Sequence, residues 1–589
     1  MTDRPIRANT TRPIRGRRQR LIGRAGFQVC LALGLGAASA HAQPVTYATN
    51  VAPLLADRCA MCHHPGGSAP FSLMTYADAK RRASQIAKVT ADRLMPPWKV
   101  EPGLGPFIGQ RPLSAAEITM LRQWAAEGAL EGNPAAAPQS HGPPLWTEGW
   151  QLGKPDLILQ LDQPYTLAAD GTDAFHIFVI PIPTQVTRYV RGLEFRPGNP
   201  RVVHHANIRI DRTPTSRRLD EADPGPGYDG LIARSAEYPD GHFLGWTPGQ
   251  AGPLLPKGLA WTLDTHTDLV VELHMRPSGK PETVAPSIGL YFGADPPGRA
   301  PAMLRLGRQD IDIPAGDPHY VVTDSYVLPV DVDVAALQPH AHYRAREVRG
   351  DATLPDGSTQ ALVVIKDWDF RWQHVFRYET PLHLPKGTTL SMTYTYDNSP
   401  ANPRNPEHPP VRARWGQRSA EEMGDLWIQV ITASDRDLDV ISRDFRHKVA
   451  LEDIKGYETE IEKRPQEAAL HDDVALLYLE VGKTDGAIAH FRAGLSLRPQ
   501  SAPAHYNLGT ALTVARRLDE AAAEYRQALR IDPGYANAHN NLGNVLLAQH
   551  QFDDAIHEFS EVVRLQPDSA AAQKNLAAAY AAAGRAPRR

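Results

Sequence analysis

Cysteine is nearly absent: three in 589 residues, one of them, Cys30, in an N-terminal segment unlike the rest. A disulfide-stapled architecture is thereby excluded, and the folded regions must hold by core packing. No run of the roughly 20 apolar residues that a membrane-spanning helix needs occurs either. Charge of one sign is also lacking, with 63 Lys and Arg against 66 Asp and Glu, so no basic surface for nucleic acid is expected. Hydrophobic content of 42% and charged content of 22% are ordinary for soluble globular protein. A chain of this length exceeds a single core, so three or four domains are expected.

The first 42 residues carry eight arginines against Asp3, then an apolar run from Phe27 to Ala38, then Ala40-His41-Ala42. This is the pattern of a secretory signal cut after Ala42, which places the mature protein in the periplasm or outside the cell. Its loss moves the net charge from −3 to about −10, a further argument against nucleic acid. In an exported protein Cys59 and Cys62 would by default pair, but His63 follows at once. Cys-x-x-Cys-His is the haem-attachment pattern: two thiols one turn apart reach both vinyl groups, and the adjacent imidazole binds the iron. Residues 46–63 resemble the start of a class I cytochrome c, which implies an all-α domain over residues 43–140 with one covalent haem c. The sixth ligand would be Met74, Met95 or Met120. Met95 is preferred because Pro96 and Pro97 hold it in a rigid loop, whereas Met120 falls on the apolar face of a helix expected over 114–128.

A Pro, Ala and Gly-rich stretch, 133–144, reads as a linker. Beyond it, alternating β-branched and aromatic runs such as 176–180, 361–365 and 390–396 are separated by Pro-Gly and Asp-Gly turns, the texture of two β-sandwich lobes over 150–300 and 301–447. Histidines punctuate three of these runs: His204-His205, His274 closing Leu269–Leu273, and His340-Ala341-His342. His340 and His342, two apart, face one side of a strand and can share a metal. His204 and His205 face opposite sides unless a bulge or strand end intervenes. The lone histidines His242, His319, His374, His383 and His408 read as satisfied core or surface residues.

The order HH, strand-closing His, HxH, then Glu421-Glu422-Met423-Gly424-Asp425 resembles the copper type II, ascorbate-dependent monooxygenases, the family of peptidylglycine and dopamine β-monooxygenases. The resemblance spans about residues 150–435. It implies two coppers per chain, one on His204, His205 and His274 for electron storage and transfer. The other, on His340, His342 and Met423, would bind O2 and abstract hydrogen from an aliphatic C–H bond, and a thioether ligand selects copper over zinc. It also implies electrons passing from a redox donor through the haem on His63 and Met95 to the first copper and then the second. Where peptide-processing members carry Arg, Asn and Tyr to anchor a carboxylate, this chain has Gln338, Asp425 and Trp427, so a small organic substrate is expected in place of a peptidylglycine. Asp425 is open to two readings, facing a cationic substrate or lying on a solvated turn.

Prolines 465, 499, 533 and 567 recur every 34 residues, with Ala487, Ala521 and Ala555 and then Phe491, Tyr525 and Phe559 in step. Residues 464–589 resemble tetratricopeptide repeats, three units and a final helix over 569–583, which implies an α-solenoid with a surface for a protein partner. The whole reads as a copper-dependent monooxygenase fed by a haem. The alternative is a copper and haem electron-transfer or sensing protein without hydroxylase activity.

Overall fold

The computed structural model describes residues 44–585, apart from 66–68, 110–111, 137–148, 172, 231, 234, 249–251, 253 and 256–257. The expected signal over 1–42 and most of the expected linker lie outside the described residues. None of the described helices is long and apolar enough to cross a membrane.

The N-terminal segment is helical. A π-turn, Tyr47–Val51, runs into the helix Ala52–Arg58, followed by Tyr76–Arg81, Ala83–Ala91 and Ala115–Ala126. Ser114 and Glu117 close a reciprocal capping box on the last of these, which satisfies two of its otherwise orphaned N–H groups. Val51, Leu55, Ile86, Leu121 and Trp124 meet in one small core. Residues 98–108 leave it. Val100 and Phe107 are buried in the core of the second β-rich half instead, and the Glu101 and Ile108 N–H groups donate to the Val364 and Arg377 carbonyls at 2.9 and 2.8 Å. A strap from the helical segment is thus woven into a β-sheet region 263 to 269 residues downstream in sequence.

The β-rich region has two halves, each with two main antiparallel sheets. In the first half, Ala174–Pro181, Asp268–Met275 and Val203–Asp211 pair in that order, with short strands on the outer edge of the last. Alternation along Val203–Asp211 sends Ala206, Ile208 and Ile210 into the core and turns His205, Asn207 and Arg209 the other way. In the second half, Pro301–Gly307, Gly424–Thr432, Val332–Ala341 and Phe376–Leu384 pair in that order. Its first and last strands are neighbours, so the half closes on itself. Leu337, Ala341, Leu426 and Ile428 lie in the core. Gln338 and His340 stand on the opposite face.

A 29-residue helix, Asp435–Lys463, starts within the expected second lobe and continues past 447. Ile441 and Phe445 enter the core of the second half, while Ile454 packs with Val474 and Leu477 of the following helices. Seven shorter helices from Ala468 to Ala582 then stack in antiparallel pairs. Ala487, Ala521 and Ala555 are fully buried, as is each aromatic four residues on. A Cβ at Gly509 or Gly543 would come within 2.8 Å of the Tyr525 ring or 2.9 Å of the Phe559 ring, so glycine is what lets each helix pair close.

A second period is polar. His505 and His539 each hold a glutamate of the partner helix at 2.6 Å through Nδ1, and set Nε2 against the carbonyl of the preceding repeat proline. The hydrogen bond to Glu558 raises the His539 pKa. In the first unit the glutamate position is His490, whose Nδ1 meets that of His471 at 3.1 Å. Burial and the neighbouring His471 lower the His490 pKa. That depressed value means stability present above about pH 6.5 and lost as pH falls, whereas a His–Glu pair is most favourable below that range. His490→Glu is expected to stabilise the array by about 0.5–1 kcal/mol near neutrality. Thermal unfolding followed by far-UV circular dichroism should show this gain widening as pH drops towards about 5.

Candidate metal centres

The pairing of Val203–Asp211 with Asp268–Met275 slips by one residue: Val203 faces Met275 and His205 faces His274, so His204 bulges. This removes the conflict that strand alternation poses for adjacent histidines. The His204 and His205 rings both lie against His274, with centroids 5.1 and 4.8 Å away. Nδ1 of His205 and Nδ1 of His274 are 3.3 Å apart. Two nitrogens bound tetrahedrally at about 2.0–2.1 Å to one metal would stand about 3.3–3.4 Å apart. Nε2 of His274 faces Asp173 Oδ2 at 3.3 Å, and Tyr343 donates its hydroxyl to the same oxygen at 3.2 Å. Carboxylates of this kind orient metal-binding imidazoles. Phe175 lies flat on His274, 4.4 Å away at 2°. Burial, reinforced by the charge of His274, lowers His204 to about 4 and holds His205 well below the ordinary value, so both are neutral lone-pair donors.

In the second half, Gln338 pairs with Trp427 and His340 with Asp425, so these four and the next alternate positions, His342 and Met423, belong to one face. All six line a cleft of about 2130 Å³ that His205 also lines. His340 Nδ1–H donates to Gln373 Oε1, and His342 Nδ1–H donates to the Glu421 carbonyl at 3.1 Å. Both bonds leave Nε2 as the free lone pair. The two rings are 5.3 Å apart. Glu422, fully buried, accepts from the His342 and Arg344 N–H groups at 2.5 and 3.0 Å, and burial pushes its pKa up to about 7. Asp425 is 3% exposed, which removes the solvated-turn reading; burial raises its pKa.

One loop, residues 366–375, touches both groups. The Phe370 ring sits 5.5 Å from His274, 6.4 Å from His205 and 5.3 Å from His342, a wedge between them. Trp368 Nε1–H donates to the His342 carbonyl at 3.2 Å, and Gln373 donates to the Phe370 carbonyl at 2.9 Å while it accepts from His340. Sequence reasoning passed over Phe370 and Gln373. The available signal was Asp-Trp-Asp-Phe-Arg-Trp-Gln-His, an aromatic density unusual for a loop. Among the described residues, no three His, Cys, Asp or Glu side chains are closed round one point as a finished metal shell. What the fold supplies is donors brought together, with their second nitrogens engaged.

In the helical segment Cys59 and Cys62 form no disulfide. They sit in the turn that ends Ala52–Arg58, where the Cys62 and His63 N–H groups donate to the Cys59 carbonyl at 3.2 and 2.9 Å. His63 Nδ1–H donates to the Phe71 carbonyl at 3.0 Å, which again leaves Nε2 free. Burial pushes the Cys59 thiol up to about 12, the opposite of what a redox-active thiolate needs. Met95, half-buried, follows the helix Ala83–Ala91, its N–H donating to the Val89 carbonyl at 3.2 Å. Met74 is 37% exposed, and Met120 packs on the helical core.

The tetratricopeptide repeat family model matches residues 474–536 and 540–588. The C-terminal helices are a tetratricopeptide array. Among solved structures, the crystal structure of MamA protein is 23% identical over 23% of this chain and 75% of that one, with a TM-score of 0.23. The first TPR of Spaghetti (RPAP3) bound to HSP90 peptide SRMEEVD is 21% identical over 20% and 94%, with a TM-score of 0.20. No curated protein matches the chain. The tetratricopeptide array stands apart from the histidine groups: the last residues lining the cleft, Lys463 and Arg464, precede its first helix.

These positions test the fit of the expected groups residue by residue. Replacing Cys59 and Cys62 together by alanine is expected to abolish covalent haem, read as loss of haem staining on a denaturing gel. Asp173→Asn, which leaves His274 without its orienting carboxylate, is expected to weaken copper binding at the first group about 10–100-fold by equilibrium titration.

Proposed function

We propose that the chain is a copper-dependent monooxygenase that inserts one atom of O2 into an aliphatic C–H bond of a small organic substrate, with electrons supplied through an attached c-type haem. The observation that carries this reading is the bulge at His204, which gathers three imidazoles beside a cleft that His205 lines together with His340, His342 and Met423. His204, His205 and His274 would hold one copper, and His340, His342 and Met423 the second, where the thioether favours copper(I). Cys59, Cys62, His63 and Met95 would hold the haem. Bound copper supplies one-electron chemistry and an open position for oxygen.

The protein's own residues do the positioning. Gln373 and the Glu421 carbonyl hold the protons of His340 and His342 on Nδ1, and Asp173 aims His274. Phe370, 4% exposed, keeps water from the space between the groups. Asp425 and Trp427 line the cleft beside His340, while Arg305 is engaged by Asp453 at 2.5 Å. Export by the N-terminal signal puts the reaction in the periplasm or outside the cell, and the tetratricopeptide array offers its concave surface to a protein partner.

The test is metal content and substrate-coupled oxygen use. Two coppers and one haem per chain are expected, with Met423→Ala losing one copper and at least about 100-fold in substrate-dependent O2 uptake. Zinc in place of copper would sink the reading. Oxygen uptake indifferent to every substrate, with both coppers in place, would favour the electron-transfer or sensing alternative.

A further inference from the structure

The hydrogen bond that orients His342 ends on a main-chain carbonyl, that of Glu421. A carbonyl is only as fixed as the segment that carries it, so whatever holds residue 421 decides where the imidazole points. Residues 415–422 form a loop that closes at its base: the Glu422 N–H donates to the Arg414 carbonyl at 3.0 Å, and the Gly416 N–H to the Glu422 carbonyl at 3.2 Å. Further out, the Glu421 N–H donates to the Arg418 carbonyl at 2.9 Å, and the Arg418 N–H donates to the Glu421 carboxylate at 3.1 Å. Gly416 makes room for that carboxylate. A Cβ there would lie 2.1 Å from Glu421 Oε2.

The clasp on this loop comes from outside it. Lys463, the last residue of the helix Asp435–Lys463, donates to the Trp415 carbonyl at 2.6 Å, to Glu421 Oε1, and to Glu460 Oε1 at 2.9 Å. An ammonium has three protons, and all three are engaged. Two of the bonds span the loop from its start to its end. The third brings Glu460 onto the same ammonium as Glu421, so that without Lys463 two carboxylates would face each other and push residue 421 away. Lys463 and Glu421 are each 23% exposed, so water offers the pair only partial compensation. Arg464 extends the contacts towards the array: it pairs with Glu460 at 2.8 Å and, at 2.7 Å, with Glu467, which directly precedes the helix Ala468–Glu480. His274 takes its orienting carboxylate from Asp173 instead.

We propose that Lys463 is a positioning residue for the second histidine group: by clasping Glu421 to Trp415 it holds the carbonyl that aims His342. The group is thereby completed by the end of the helix that leads into the tetratricopeptide array, and the first group is not. This deepens the reading of His340, His342 and Met423 as metal ligands and does not depend on hydroxylation. Partners standing behind a metal-binding imidazole set its affinity by fixing tautomer and direction.

The experiment uses the full chain carrying haem. Copper(I) is titrated against a competing chelator, and copper(II) is followed by electron paramagnetic resonance; each variant is also made with His274→Ala, so that the second group is read alone. Lys463→Met is expected to weaken copper at the second group at least about 10-fold and to change its copper(II) hyperfine pattern, with the first group within about twofold of the parent. Lys463→Arg, which keeps the charge and can donate to the same oxygens, should recover most of the affinity. Gly416→Ala, which displaces the Glu421 carboxylate and leaves Lys463 in place, carries the test if Lys463→Met does not fold, with the same direction expected. Parent-like affinity and spectrum at the second group in Lys463→Met overturn the proposal, as does equal weakening of both groups, which marks a general packing defect. If His342→Ala costs one copper while Lys463→Met binds as the parent does, this proposal falls alone; if His342→Ala costs none, the metal reading falls with it.

Discussion

Closure of the loop 366–375 against both β-rich halves is the constraint on which the rest of the candidate site depends. Its ten residues fix the His340 tautomer through Gln373, support His342 through Trp368, and fill the space between the histidine groups with Phe370. A buried loop must find partners for its own backbone, and this one does: Arg404 donates to the Trp368 carbonyl and also pairs with Asp367 at 2.6 Å. Asp369 in turn binds Arg371 at 2.7 Å. Side chains thus tie this irregular backbone where a strand would use its ladder.

Burial sets the electrostatics. Imidazoles gathered this closely would repel one another if charged, and loss of water disfavours the charged form first. His204, His205 and His342 are all driven to the neutral state that a metal needs. The countercharges are placed behind the donors. Asp173 sits behind His274 with its pKa lowered: burial alone would raise it, and the hydrogen bond and charge of His274 outweigh that. Glu422 sits behind His342, fully buried, and fixes the backbone N–H groups of His342 and Arg344. Those two bonds leave one arrangement of the strand end satisfied.

Much of the molecule was legible from local pattern. The 34-residue period places buried Ala487, Ala521 and Ala555 and their aromatics, because every repeat meets the same neighbour. The spacing of His340 and His342 puts them on one face, because a strand alternates strictly. Cys59 and Cys62, read as one turn apart, lie in the turn at a helix end. The helix Asp435–Lys463 was less legible: it serves two cores in succession, so no single apolar stripe runs along it.

By itself the sequence determined which donors exist, their order, and the periods that set their faces, because those follow from backbone geometry within one element. Only the tertiary structure decided that His204 bulges, that Phe370 stands between two histidine groups, and that residues 98–108 belong to a distant core. Each of these depends on which strand lies opposite, and pairing across 60 to 270 residues is settled by the packing of whole sheets, not by the residues on either side.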